Sequence, residues 1–482
     1  MVENKLDNSN NRKPNLSGER TQENKLLKKT KSSHRDAILN GPIISTIFKL
    51  AWPVMIGNTM QVVYNLADTF WLGKLGAEAV AALSIGFPLV FLMISIGAGL
   101  TIAGTTLVAQ YMGAGNQKMT NKVTGQIFLV VTILSIILAI LGVIFNKDIL
   151  QLMGTPQNIL SDATSYLNII FAGIPFMFSF FIFSALLRGY GDTITPMKFM
   201  VFSTLLNIII DPLLIFGVGF FPALGVRGAA FATIFSRALA GIYGIYILFK
   251  GNKGLKLTIE SMKPDFKVIK KILYLGFPSA AEQSVVALGM TVLMSIVSVF
   301  GTIAVAAYGI GSRILSVVQL PTRGLATATT TMVGQNLGAE QINRAERTAW
   351  MSSGIILLLL SLLAFLFNLF PVAIISIFNT NPEVINIGKS FLKIVGYSFG
   401  FLGVRFILGG SFRGAGNTVI AMILAIIALW GVRLPLAQYL SINLNWGTQG
   451  IWWSIFYSNF ITAIIAALWF KKGTWKENVV NE

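Results

Sequence analysis

The 482-residue chain contains no cysteine and a single histidine, His34. Disulfides and thiol chemistry are excluded, and no histidine proton relay or histidine-based metal site can be built. Charge is also scarce. Charged residues make up 12% of the chain, about half the share of an ordinary soluble domain. With 54% hydrophobic residues, too few polar side chains remain to coat a water-facing globule. The loops carry no His/Glu metal pattern, no Ser/His arrangement and no phosphate-cradling loop. The Gly-x-Gly runs at Gly189 and Gly414 join apolar stretches and follow no strand, so they are not nucleotide sites. An enzyme is therefore not expected, and neither is a cofactor. No filter-like repeat points to a channel.

What the chain has is apolar runs. Twelve occur, near 45–69, 84–110, 124–145, 159–187, 197–217, 226–249, 268–294, 306–336, 349–373, 383–411, 419–440 and 447–470. Each approaches or exceeds the roughly 20 residues that a helix needs to cross a bilayer. The fold class expected is an all-α polytopic membrane protein. Lys and Arg number 37 against 19 Asp and Glu, and 27 of the basic residues fall in the two tails and in loops assigned to one side. Both termini are therefore expected in the cytoplasm. Nucleic-acid binding is a poorer account of the charge, because these residues are spread over one membrane face without an aromatic reading surface.

The runs form two copies of one unit. A shift of 225 residues pairs Pro53 with Pro278, Gly86 with Gly311, Gln110 with Gln335, Gly113 with Gly338, and Arg188 with Arg413. Six helices per copy is an even number, so the copies are parallel, a duplication common among secondary transporters. Residues 1–42 read as a disordered tail, 43–250 as the first lobe, 251–267 as a basic linker carrying Pro264, 268–473 as the second lobe and 474–482 as a short tail. The linker is expected to give slack to lobes that move as bodies.

The copies disagree where charge is most costly. Asp68 is matched by Leu293, and Asp211, after a two-residue shift that aligns Pro212 with Pro435, is matched by Leu434. An aspartate near a bilayer centre costs on the order of 2.5–3.5 kcal/mol, so it faces the bundle interior and has a use. Tyr64 precedes Asp68 by four residues and Asn207 precedes Asp211 by four, on the same helical faces. Two carboxylates facing one cavity suit a proton, and with Asn207 and a hydroxyl they also suit Na+; the residues do not separate the two. Pro53, about four turns before Asp68, is a candidate hinge connecting occupancy to shape. Glu282 is the acidic residue inside the second bundle, and both function and structural pairing account for it. Arg237, Arg313, Arg323, Arg405 and Arg433 read as snorkelling or packing pairs.

Several motifs together then resemble one family. These are Ala-Trp-Pro at Ala51, Val63 to Gly73 (Val-Tyr-Asn-Leu-Ala-Asp-Thr-Phe-Trp-Leu-Gly), Arg188-Gly-x-Gly-Asp-Thr, Asp211-Pro-Leu, Pro278-Ser-x-x-Glu-Gln and Arg413-Gly-x-Gly-Asn-Thr. They resemble the multidrug and toxic compound extrusion (MATE) transporters, and within them the DinF-type branch. The resemblance implies a V-shaped pair of six-helix lobes that exports cationic or amphipathic compounds against inward H+ or Na+. It places a cation site on Asp68, Asn207, Asp211 and, on the sixth helix, Thr233. Tyr64, Tyr166 and Met200 match positions near the family's substrate pocket. Tyr397 to Phe412 holds no acidic residue of the kind that the NorM-type branch carries, which weighs against a second-lobe ion site. A lipid-linked oligosaccharide or lipid flippase of the same superfamily is the alternative. The partners expected are small substrates and membrane lipid in the plasma membrane, with the protein a monomer.

Overall fold

The computed structural model describes residues 34–219 and 221–477. They are almost wholly helical. Residues 34–40 form α1, followed by α2 (Ile43–Leu75), α3 (Ala77–Gly113), α4 (Gln117–Leu152), α5 (Gln157–Tyr190), α6 (Ile194–Phe216) and α7 (Val226–Lys250). The second half contains α8 (Phe266–Ser298), α9 (Gly301–Gly338), α10 (Ile342–Leu369), the short α11 (Pro371–Ser376), α12 (Pro382–Gly396), α13 (Phe399–Gly414), α14 (Thr418–Ile426), α15 (Leu434–Gln438) and α16 (Thr448–Lys472). Among the described residues eleven helices are long and apolar enough to cross a membrane, and α12 with α13, bent by 51° at their junction, make a twelfth. The apolar run near 383–411 is thus a broken span. Its break falls at Tyr397 and Ser398, where no proline marks it. Outward faces such as Ile133, Ile137, Ile140 and Ile144 of α4 and Leu358, Leu362 and Phe365 of α10 are exposed apolar stripes, the surface a polytopic protein presents to lipid.

The two largest cores are built one on α3, α4 and α5 and the other on α9, α10, α12 and α13. They do not divide at the boundaries read from sequence. Ile47, Leu50 and Ala51, in the first turns of α2, belong to the second core, while Val268, Ile272 and Leu275 of α8 belong to the first. Each lobe's opening helix starts inside the other lobe and crosses over.

The lobes meet through matched contacts at the ends nearest the basic loops. Thr106 Oγ1 donates to the Arg413 carbonyl at 2.8 Å and Thr331 Oγ1 to that of Arg188 at 3.0 Å. Gln110 Nε2 donates to the Gly414 carbonyl at 3.0 Å, and Gln335 Nε2 to that of Gly189 at 2.9 Å. All four pairs obey the 225-residue shift. A Cβ on Gly113 would collide with the Gln335 backbone and one on Gly338 with the Gln110 backbone, so glycine is required for α3 and α9 to touch.

The segments before α2 and α8 are matched too, and both depart from expectation. The tail read as disordered to residue 42 is ordered from residue 34, and residues 1–33 lie outside the described residues. Within α1, Arg35 donates to the carbonyls of Met112 and Gly113 in the first lobe, Ile38 enters the second core, and Arg344 of α10 holds the Ile38 and Gly41 carbonyls. The connection after α7 ends at Asp265, where α8 begins, and it is not slack. Gln126 of α4 donates to the carbonyls of Ser261 and Lys263, each at 2.7 Å, and accepts from the Asp265 amide. Leu255 and Leu257 are buried. Asp265 caps α8 and pairs with Lys122, whose hydrogen bond holds the Asp265 carboxyl below the usual carboxylate range. A polar sequence reads as a free loop, but its backbone groups are taken up by side chains of the opposite lobe.

Candidate functional site

The acidic pair lies inside the first lobe between α2, α6 and α7. Asp211 is fully buried and Asp68 is 8% exposed. Both sit near the ends of their helices remote from the basic loops, Asp68 seven residues before the end of α2 and Asp211 five before the end of α6. Their side chains face one another, and Thr233 of α7 lies against Asp68. Asn207 Nδ2 donates to Asp211 Oδ1 at 2.9 Å, the i to i+4 contact that the spacing implied. Asp68 Oδ1, Asp211 Oδ2, Asn207 Oδ1 and Thr233 Oγ1 are buried with no hydrogen-bond partner outside this group, Asp68 lying within reach of both Asp211 and Thr233. Buried polar atoms are rarely orphaned without a reason. Four such oxygens, two of them from carboxylates, are a donor set for a small hard cation, and either carboxylate alone takes a proton.

Around the pair, Tyr64 reaches α7, its hydroxyl donating to the Thr233 carbonyl at 3.2 Å and lying 3.1 Å from Ser236 Oγ. Tyr166 of α5 is buried beside Tyr64, Asp68 and Asp211. Met200 is joined to the group through Arg237, whose Nη1 lies 3.1 Å from the Met200 sulfur. Asp68, Asn207, Asp211, Thr233, Tyr64, Tyr166 and Met200 are therefore neighbours in space. Pro53 lies farther along α2, which continues through it as one helix.

Arg237, a packing arginine by sequence, belongs to the site. Its guanidinium stacks 4.5 Å above the Tyr64 ring, Nη2 donates to Gln61 Oε1 at 2.6 Å, and Nε has no partner. It is 2% exposed. It lies four residues after Thr233 on α7, one turn away, and that spacing was the available signal. Glu282 is not part of this site. It receives two hydrogen bonds from Arg413 Nη1, at 2.8 and 2.9 Å, in the second lobe. Arg413, counted from sequence among the loop charges, is thus committed to that pair.

In the second lobe the matching volume is packed. Leu293 and Leu434 belong to one apolar cluster with Phe391, the residue at the Tyr166 register, and Trp452. Leu293, Phe391 and Trp452 are fully buried. The segment before Pro435 is π-helical over Ile427–Arg433, in contrast to the regular α6. This is where the two-residue shift falls.

The sequence profile of the MatE family matches residues 53–213 and 278–438, one match in each half. The probable multidrug resistance protein YoeA of Bacillus subtilis is 31% identical, the match covering 89% of this chain and 93% of that protein. The probable multidrug resistance protein NorM of Thermotoga maritima is also 31% identical, over 90% of this chain and 93% of that one. A crystal structure of MATE in complex with MaL6 superposes with a TM-score of 0.85 at 26% identity, covering 90% of this chain and 97% of that one.

Proposed function

The chain belongs to the MatE family, and from that membership we propose that it is a multidrug efflux antiporter. It expels cationic or amphipathic organic compounds by alternating access, driven by inward H+ or Na+. The names of its relatives support multidrug export. The observation that carries the coupling is the buried acid pair with Asn207 and Thr233 beside it in one lobe and an apolar core in its place in the other. In this reading both termini are cytoplasmic and the membrane is the plasma membrane.

The chain's own residues supply the coupling. When a proton or Na+ occupies the pair, the negative charge of Asp68 and Asp211 is offset and α2, α6 and α7 are held together around it. When the ion leaves, two like charges in a low dielectric repel and seek the positive group at hand, Arg237. That side chain is already tied to Gln61 and Met200, which line the wall toward Pro53, so a change at the acids reaches the region where a substrate would sit. Export requires the paired contacts of Gln110 and Gln335 to part. The test is efflux from proteoliposomes with a proton gradient and a sodium gradient imposed separately. Acceleration by one or both is expected; transport indifferent to both overturns the antiport reading.

A further inference from the structure

The cavity whose wall includes Gln61 and Met200 has a further feature, an arginine to which ion coupling gives no role. This cavity of about 120 Å³ opens between α2, α5 and α6, and Arg188 lies in its wall with Gly57, Asn58 and Ser184. The Arg188 Nε donates to the Ser184 carbonyl at 3.0 Å. Its two Nη groups make no hydrogen bond and no ion pair among the described residues. An arginine so placed keeps its charge and a planar pair of donors matched to an oxyanion.

The repeat shows what is missing. At the matching position of the second lobe, Arg413 is closed off by Glu282, both of its carboxylate oxygens within 2.9 Å of Nη1. The residue that the 225-residue shift pairs with Glu282 is Gly57. Gly57 lines the Arg188 cavity, and a Cβ built on it would meet nothing within 4 Å. The space filled by an internal carboxylate in one lobe is open in the other, in front of the same arginine. A second observation points to a ligand: Ser184 is 3% exposed, lines the cavity, and its Oγ has no partner. The remaining wall includes Phe181 and Met197, which are apolar.

We propose that this cavity binds the carboxylate or phosphate head of an amphipathic anion, held by Arg188 with Ser184 and Asn58, while its apolar body lies along Phe181 and Met197. The volume admits a headgroup and a short stem and excludes a whole drug-sized molecule. The same chemistry is offered by an organic anion in transit and by an anionic lipid. This site deepens the proposed function, since Gln61 and Met200 line the same cavity, and it is tested at equilibrium with no gradient, so that its failure leaves the ion-coupling reading standing.

Binding of dodecyl phosphate, with dodecyltrimethylammonium as the charge-reversed control, is measured by equilibrium dialysis on the full chain in nanodiscs of phosphatidylcholine. Arg188→Gln is expected to weaken dodecyl phosphate binding about tenfold or more, the loss of a charged hydrogen-bonding partner, and to leave dodecyltrimethylammonium binding unchanged. Gly57→Glu is expected to do the same by giving Arg188 the internal carboxylate that Arg413 has. Its added side chain enters open space, so this variant decides the matter if Arg188→Gln does not fold. Adding phosphatidylglycerol to the disc separates the sources: competition identifies a lipid headgroup, and its absence an organic anion. Dodecyl phosphate affinity equal in the parent chain and in folded Gly57→Glu overturns the proposal, as does an equal loss for both probes.

Discussion

The two lobes share a helix order, a set of interface contacts and a strap from the preceding segment, yet their centres are opposite in kind. In the first, Tyr64, Tyr166 and Arg237 surround the buried carboxyls of Asp68 and Asp211. In the second, Leu293, Leu434, Phe391 and Trp452 fill the matching volume. The reverse holds nearer the basic loops, where the second lobe has the closed pair of Glu282 and Arg413 and the first has Arg188 opposite Gly57. The frame tolerates either content because hydrogen bonds from side chains of one lobe to backbone carbonyls of the other hold it, as at Gln110 and Gln335, and not the central side chains.

The largest effect is expected from removing charge at the first centre. Asp68→Asn and Asp211→Asn should each abolish gradient-driven efflux at unchanged membrane level, because each keeps the shape and loses the ionisable group. Wild-type rates from either variant would erase the contrast between lobes. Next come the second centre's leucines. Leu293→Asn and Leu434→Asn should lower stability by about 1–3 kcal/mol, the cost of burying an amide without partners, while the dependence of the remaining transport on the ion gradient stays that of the parent. Thermal unfolding and proteoliposome flux measured together separate the two. Glu282→Gln should cost about 2 kcal/mol through the lost charged hydrogen bonds to Arg413, again with coupling intact; a change in ion dependence would give the second lobe a share in coupling.

The two matched prolines give a sharper comparison. Pro53→Ala restores a helix hydrogen bond in the lobe with the acids and Pro278→Ala does so in the lobe without them. Transport should fall further in the first, with substrate binding partly kept. Equal losses would move coupling to rigid movement of whole lobes. The smallest effect concerns the strap. The Asp265 carboxyl is held below its usual range by Lys122, so its contribution is complete above the ordinary carboxylate pKa of about 3.9 and is lost as pH falls through the depressed value. A spin label at position 253 should gain mobility on acidification below about pH 4, and Asp265→Asn should be mobile without that pH dependence.

The acids were legible because a charge in an apolar run is costly and the repeat supplied a blank for comparison. The neighbours of Asp211 were legible because α6 is regular and four residues make one turn. Arg237 was not, because a long side chain can lie along its own helix or reach another, and composition does not distinguish these. Nor was the bend between α12 and α13, since Tyr397 and Ser398 are no stronger a break signal than their surroundings. The linker misled for a related reason. Its polar residues look solvated, while what anchors it is Gln126 reading its backbone carbonyls, a contact with no sequence signature on the linker side.

The reciprocal bonds of Gln110 to Gly414 and Gln335 to Gly189 describe a contact that two identical chains would make about a two-fold axis. A pair of separate half-length proteins would meet in the same way, but any aspartate at position 68 would then appear twice, once in each partner. Joining the halves into one polypeptide removes that constraint. Each half is then free to carry what the other does not, as Asp68 and Asp211 stand opposite Leu293 and Leu434.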